Sequence, residues 1–376
     1  MKIVTPAYFS QFHCIASDCP ETCCAGWEVV VDPESEARYR ALQTPLGDRI
    51  RGMMMVEDGE TCFHCNPDGR CPFLNDRNLC DIQAEMGEEA LCRTCHIYPR
   101  FIHDFGGTRE MGISISCPEA ARIIFSQKGK IQFTSENHPD IPPSLNDMDA
   151  DRYFAVIQLR ETAYDLIQRS QFPMDHRCAL LLRLARKGQK LIREERWEDI
   201  QALCDSFDPH QMLAQLKKCR SRCSMATAVK RSDLLTELLK LDILKDSWKE
   251  QLVNCLESEN SGDRTVNALN AGFEQNLLFT FLFRYFARAA YPDAEDDTLL
   301  GLVKFAVFSL LAVRTLGQDM TESELEKLAV SYSREVEHDE DNVAALVREM
   351  TENKTFTEKA FCALLLGTSA QPVANG

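Results

Sequence analysis

Four cysteines, Cys14, Cys19, Cys23 and Cys24, fall within eleven residues near the start of the chain, and eleven of its seventeen cysteines lie before residue 118. A segment so rich in thiols and so short of long apolar runs gains much of its order from what the sulfurs bind. The whole chain, at 376 residues and 44% hydrophobic, can build cores without covalent staples. Its first thirteen residues hold no apolar signal core and no small-residue cleavage site, so a cytoplasmic setting with reduced or metal-bound thiols is expected. An odd number of cysteines cannot pair completely within one chain. Adjacent Cys23 and Cys24 make a poor disulfide, because neighbouring Cα atoms lie about 3.8 Å apart against the roughly 4.4–6.8 Å that a disulfide spans. Metal ligation leads, ahead of a redox-active thiol pair.

The uneven spread of cysteines divides the chain. Residues 1–126 are expected to form a small cysteine-rich α+β metal-binding domain, and residues 127–150, with Gly129, Pro139, Pro142 and Pro143, a linker. Residues 151–376 are expected to form an α-helical domain, which makes the fold mainly α. Tyr153, Ile157, Tyr164 and Ile167 repeat near period 3.6, and Asp175 is placed to cap a helix carrying Leu180, Leu181 and Leu184. Further helices are expected over 233–256, 266–288, 297–316, 322–333 and 341–352. The apolar run 299–313 is interrupted by Lys304 and falls short of the roughly 20 residues that span a bilayer, so it reads as a buried helix and no membrane partner is expected. The later cysteines, such as Cys178, read as small core hydrophobes. Cys219 and Cys223 form a weaker second pair at helical spacing.

Within the first region, residues 27–31 read as a short strand, and Asp32-Pro33 supplies an N-cap and first-turn proline for a helix through Leu42. Residues 98–116 read as a β-hairpin turning at Gly106-Gly107. It delivers Cys117 to a helix start, with Cys117 at the N-cap and Pro118 next, where free amides favour a thiolate. Cys14, Cys19, Cys23 and Cys24 are too crowded for a zinc site built from two separated cysteine pairs. Cys23 and Cys24 can point different ways and serve two metals or two corners of one cluster. With Cys71, Cys80, Cys92 and Cys95 added and no paired histidine spacing, the donors favour an iron–sulfur cluster, with all-sulfur zinc as the alternative.

The series Cys14-x4-Cys19-x3-Cys23-Cys24-x-Gly26-Trp27, Cys71-Pro-Phe-Leu, Leu79-Cys80, Thr94-Cys95, Tyr98-Pro99-Arg100 and Ser116-Cys117-Pro118-Glu119-Ala120-Ala121-Arg122 resembles the bacterial flagellin lysine N-methylases. The order of cysteines also resembles the broader CxxCxxCC proteins with zinc- or iron-chelating domains. The likeness covers about the first 125 residues, together with Glu274-Gln275-Asn276-Leu277-Leu278 in an aromatic-rich helix. It implies methyl transfer from S-adenosylmethionine to lysines of flagellin, with an iron–sulfur cluster of the 4Fe-4S kind. The implied ligands are Cys14, Cys19, Cys23, Cys24, Cys71, Cys80, Cys95 and Cys117.

Two familiar signatures are missing. No Cys-x3-Cys-x2-Cys occurs, and no strand leads into a glycine-rich loop of the dinucleotide-binding kind. A lysine ammonium must lose its proton before its nitrogen can attack a methyl sulfonium, which makes Tyr98, Glu119 and Glu274 the candidate catalytic residues. His13, His64, His96 and His103 lie in the cysteine-rich region, His96 foremost, and imidazole can replace a thiolate in a cluster. Cys62, Cys65 and Cys92 stand outside the series. The net charge of −16 argues against nucleic acid as a partner. The acidic runs 293–297 and 335–341 read as solvated faces able to steer lysine-bearing surfaces. The alternatives are a metal-binding accessory or electron-transfer protein without methyl transfer, and a zinc-stabilised interaction module.

Overall fold

The computed structural model describes the chain except residues 26–28, 58, 145–147, 221–227, 262–266, 292–297, 338 and 368–376, and the side chains of 220, 260 and 261. Expectations for Gly26, Trp27, Cys223 and the run 293–297 fall outside the described residues. The described strands are β1 (Lys2–Pro6), β2 (Val29–Val30), β3 (Met54–Glu57), β4 (Glu60–Phe63), β5 (Arg100–Phe105), β6 (Thr108–Ile113) and β7 (Phe133–Asn137). Five short helices accompany them: α1 (Pro33–Ala41), α2 (Pro45–Met53), α3 (Asp81–Met86), α4 (Arg93–Ile97) and α5 (Pro118–Phe125). The rest is helical: α6 (Ala150–Ile167), α7 (Met174–Arg193), α8 (Trp197–Asp205), α9 (Pro209–Arg220), α10 (Arg231–Leu238), α11 (Asp246–Ser261), α12 (Ala271–Tyr285), α13 (Leu299–Leu316), α14 (Glu322–Glu337), α15 (Glu340–Glu352) and α16 (Glu358–Gly367). The protein is thus mainly α, with a small α+β region at its N-terminal end.

That region builds two sheets. One runs β5-β6-β1-β7, with β1 parallel to β6 and antiparallel to β7, and the other runs β2-β4-β3. The hairpin predicted around Gly106-Gly107 is present, pairing Phe105 with Thr108, and Gly106 takes the positive φ of 56° that the turn needs. A Cβ on Gly112 would overlap the Phe101 ring of the neighbouring strand and crowd Phe283 of α12, so glycine lets the hairpin lie flat on the helical body. The stretch 127–150, read as a linker, contains β7. Its pairing partner β1 lies more than a hundred residues away, so no local pattern announces the strand.

Two apolar cores follow a different line from the division by cysteine content. The smaller contains Val29, Val31, Tyr39, Leu46, Ile50, Phe63, Phe73, Ile82, Ala90 and Cys92. The larger joins Ile113, Ile115, Ala120 and Ile124, from the end of the hairpin and α5, to the helices from α6 onward. α13 lies at its centre with nearly every residue buried. Among the described residues it is the one helix apolar and long enough to cross a membrane, and 94% of that span is enclosed by protein. Lys304 within it is 5% exposed and donates to the Met350 carbonyl.

Several helices differ from expectation for identifiable reasons. The helix expected over 233–256 is split into α10 and α11. Between them the amides of Asp242 and Leu244 donate to Asn342 Oδ1 (2.9 Å) and Glu335 Oε2 (2.8 Å), so side chains of α15 and α14 take over from helical carbonyls. The residue capping α7 is Pro173, and Asp175 instead pairs with Arg314 at 2.5 Å. The acidic run 335–341 is not simply a solvated face: Glu335 and Glu337 are buried, and Glu337 accepts from Arg284 Nη1 and Tyr285 Oη at 3.0 Å each. By contrast, Asp32 caps α1 as expected. Its Oδ1 accepts from Ser35 N at 3.0 Å and its Oδ2 from Arg93 N at 2.8 Å, which ties α1 to α4. Burial opposes its charge, but the amides of Arg93 and Ser35 outweigh it and lower the Asp32 carboxyl to about 2.

The hairpin is pinned to the helical body by Glu110 of β6 and Arg160 of α6, 3% and 6% exposed, which pair with Arg160 Nη1 to Glu110 Oε2 at 2.7 Å. Glu110→Gln leaves the guanidinium buried without its counter-charge and is expected to cost about 3–5 kcal/mol. Denaturant unfolding measures this. A midpoint unchanged from the parent would show that solvent reaches the pair.

Candidate metal centre

The cysteines reach their positions through local devices, of which the helix start at Cys117 is legible in the sequence. Cys80, Cys92 and Cys117 each take the N-cap position of a helix, α3, α4 and α5, so helical amides face each sulfur. Cys14 and Cys19 flank the 3-10 turn Ala16–Asp18, and the Cys19 thiol donates to the Glu21 carbonyl at 3.3 Å. Cys24 is fixed on both sides: its amide donates to Thr22 Oγ1 at 3.0 Å, and its carbonyl accepts from Cys71 N at 2.8 Å beside the Ala25–Arg70 bridge. A second bridge, Leu74–Cys80, closes the loop that carries Cys71 and Cys80.

These elements bring all eight sequence-predicted ligands, Cys14, Cys19, Cys23, Cys24, Cys71, Cys80, Cys95 and Cys117, to the wall of one cavity of about 370 Å³, with Cys92 as a ninth thiol. Burial raises the Cys71 thiol to about 12 and raises Cys80 and Cys117, against the pull of the amides of Gln83 and Ile82 and of Ala120 and Glu119 respectively. For Cys117 the sequence leads one to expect a thiolate favoured by the helix end. Burial outweighs that pull in the protein without metal. Cys23 and Cys24 share a hydrogen bond that lowers Cys24 to about 7 and raises Cys23, and Cys95 similarly lowers Cys92.

The donor set fits a thiolate-ligated metal group, and its spacing bears on which. Among the described residues no three His, Cys, Asp or Glu side chains are grouped closely enough to hold a single metal ion. Four thiolates around one zinc, at about 2.3 Å from the metal, stand only about 3.8 Å from each other. The cavity is on the order of ten times the roughly 30 Å³ that a water molecule occupies, which suits a larger group with sulfurs further apart.

The other predicted residues separate. Tyr98 and Glu119 line the cavity, as do His13 and His96. Tyr98 Oη lies 3.1 Å from Ser116 Oγ, and burial holds its phenol well above the ordinary range. Glu119 is held by Arg122 at 2.6 Å and its carboxyl is lowered by that partner. Glu274 is elsewhere: fully buried in α12, it accepts from Arg314 Nε at 2.6 Å and from Leu269 N at 3.0 Å. Its neighbours Gln275 and Asn276 donate to the carbonyls of Gly129, Ile124 and Gln127, so this fragment clamps the end of the helix that begins at Cys117. His64 pairs with Glu57 at 3.2 Å, and His103, half-buried in β5 between Phe101 and Phe105, is lowered to about 4 by desolvation and by Arg284. Cys62 is buried in β4, Cys178 is buried in α7 and Cys219 is exposed.

A second cleft, of about 190 Å³, opens on the far side of Cys23 and Tyr98, which line both spaces. Its other wall comes from the helical body, with Lys245, Trp248, Gln251, Arg334 and Glu335. Arg334 donates to the carbonyls of Ser116 (2.8 Å) and Glu21 (3.1 Å) and pairs with the Glu21 carboxylate (2.9 Å), so α14 holds the cysteine loop and the start of α5 together. Sequence reading missed these residues. Nothing in their spacing marks them, since they come from segments more than two hundred residues beyond the cysteines they support.

The FliB lysine N-methylase C-terminal domain family matches residues 160–365. The Lysine-N-methylase of Salmonella typhimurium is 29% identical over 158 residues, 38% of this chain and 39% of that protein. That of Salmonella choleraesuis matches to the same extent, and the Flagellar biosynthetic protein FliU of Salmonella muenchen is 28% identical over 134 residues, 34% of this chain and 78% of that protein. The chain therefore spans about two fifths of the length of the two lysine methylases it matches. No solved structure matches it. The family match runs from within α6 to near the end of α16, more than half of the chain and the whole of the body against which the cysteine cavity is built, and the chain belongs to the FliB lysine N-methylase family.

Proposed function

We propose that this protein transfers methyl groups from S-adenosylmethionine to lysine side chains of flagellin, and that its cysteine cavity holds an iron–sulfur cluster. Membership of the family and the names of the relatives, a lysine methylase and a flagellar biosynthetic protein, support the reaction and the substrate. The observation that carries the metal part is the gathering of eight separately encoded cysteines onto one cavity wall. When bound, such a cluster supplies an electron-transfer or Lewis-acid centre.

The chain's own residues account for substrate access. A lysine side chain is long and slender, and the cleft beside Trp248 leads to Cys23 and Tyr98 at the edge of the cysteine cavity. The amine must arrive without its proton. Of the carboxylates near the cleft, Glu21 is neutralised by Lys245 at 2.8 Å and Arg334 at 2.9 Å, whereas Glu335 lines the cleft itself and burial raises its carboxyl. Glu335 is therefore the proton acceptor in this reading, and Tyr98, held protonated, orients the amine as a hydrogen-bond donor. The acidic surface favours encounter with lysine-bearing protein.

The test uses anaerobically purified, metal-loaded protein, labelled S-adenosylmethionine and flagellin from the same source. Label is expected on several flagellin lysines, located by peptide mass spectrometry. No transfer by fully loaded protein would turn the reading to electron transfer.

A further inference from the structure

We propose that the cavity holds two separate iron–sulfur clusters, each held by four thiolates. Cys14, Cys19, Cys23 and Cys117 form one, Cys24, Cys71, Cys80 and Cys95 form the other, and the chain passes between them at Cys23-Cys24. This rests on the reading of the cavity as a metal site. A cluster of the all-cysteine kind takes four thiolates, so eight thiols on one wall are twice what a single cluster needs.

The two sets belong to different parts of the fold. Cys71, Cys80 and Cys95 pack against the small core, whereas Cys117 packs against the large one. Different devices hold them. The Cys71 N to Cys24 O hydrogen bond and the Ala25–Arg70 bridge join Cys24 to the second set. Arg334, through the carbonyls of Glu21 and Ser116, joins the Cys19–Cys23 loop to Cys117.

Backbone geometry gives the same division: Cys14 and Cys19 flank one 3-10 turn, and Cys71 and Cys80 lie on the loop closed by the Leu74–Cys80 bridge. The sets meet at the Cys23–Cys24 hydrogen bond. Adjacent residues suit that junction, because their side chains can leave the backbone in different directions. Cys92, 1% exposed, lines the same cavity from the small core and shares a hydrogen bond with Cys95, so it supports that ligand.

The arrangement divides labour. The first centre borders the cleft through Cys23, and the second is embedded in residues 29–95. The first is therefore placed for chemistry, and the second for holding the small core.

Two double variants of the full chain test this, Cys14→Ser/Cys117→Ser and Cys71→Ser/Cys80→Ser, purified anaerobically and analysed for iron, zinc and acid-labile sulfide per chain. Each is expected to keep about half of the parent's metal, because centres with separate ligands load separately. Sulfide accompanying iron identifies clusters, and zinc without sulfide overturns the proposal, since among the described residues no three of these side chains stand close enough together for a single ion. Only the second variant should expose residues 29–95 to protease. If it does not fold, the first variant decides alone, with X-ray absorption expected to give four sulfurs around the retained metal. Complete loss of metal in the first variant, or full retention, overturns the proposal. Metal per chain is read without any methyl transfer: two centres in a protein that moves no methyl group reject the enzymatic reading and leave this one standing, and an active protein with one centre does the reverse.

Discussion

Cys23→Ala or Cys117→Ala is expected to bring methyl transfer to flagellin down by roughly a thousandfold or more, the scale of loss when an essential group is removed from machinery that acts as a unit. Cys23 is the thiol that lines both the cysteine cavity and the cleft. Cys117 sits at the N-terminus of a helix whose far end is clamped by Asn276 and whose start is held by Arg334, so the surroundings cannot move to replace its sulfur. The helical body should keep its fold, since Cys117 only borders its core and Cys23 lies outside it, and circular dichroism should match the parent. Transfer within a few fold of the parent in both variants would place the chemistry elsewhere.

Removing the metal is expected to open residues 29–95 while leaving α6, α7 and α13 protected. The small core is built from about ten buried side chains. Cores of this size supply only roughly 3–5 kcal/mol. Structural thiolate sites contribute on the order of 10–16 kcal/mol of binding free energy to the folded state, so ligation outweighs packing there. The large core needs no such support: α13 alone buries Phe305, Phe308, Leu310 and Val313 completely. Hydrogen exchange before and after anaerobic metal removal separates the regions. Amides of α1, α2 and β4 should lose protection, and those of α7 and α13 should keep it. Equal protection of both regions in the metal-free protein would mean that apolar packing alone holds the small core.

How far each feature could be read follows from the range of the force behind it. The cap at Asp32, the turn at Gly106 and the helix start at Cys117 depend on atoms a few residues apart, and each stands where the sequence places it. The helix over 233–256 is read too long because amphipathic period is local, while the interruption depends on Glu335 and Asn342 arriving from α14 and α15. The family fragment Glu274–Leu278 is visible as a pattern, but its job is not. In sequence terms Glu274 is a candidate catalytic carboxylate, and only burial against Arg314 makes it half of an ion pair outside the cysteine cavity.

For the candidate site, the sequence by itself determined which cysteines to expect together: the motif order that resembles the flagellin lysine N-methylases implies eight, and all eight reach one cavity. Tertiary structure decided where each one sits, which surface they face and what holds them. Whether Cys23 looks toward Cys117 or Cys24 toward Cys71 depends on which core each loop packs against and on where Arg334 of α14 places its guanidinium. Those choices are settled by burial and charge pairing between segments up to three hundred residues apart, which compete only once the chain has collapsed, so no stretch of sequence carries them alone.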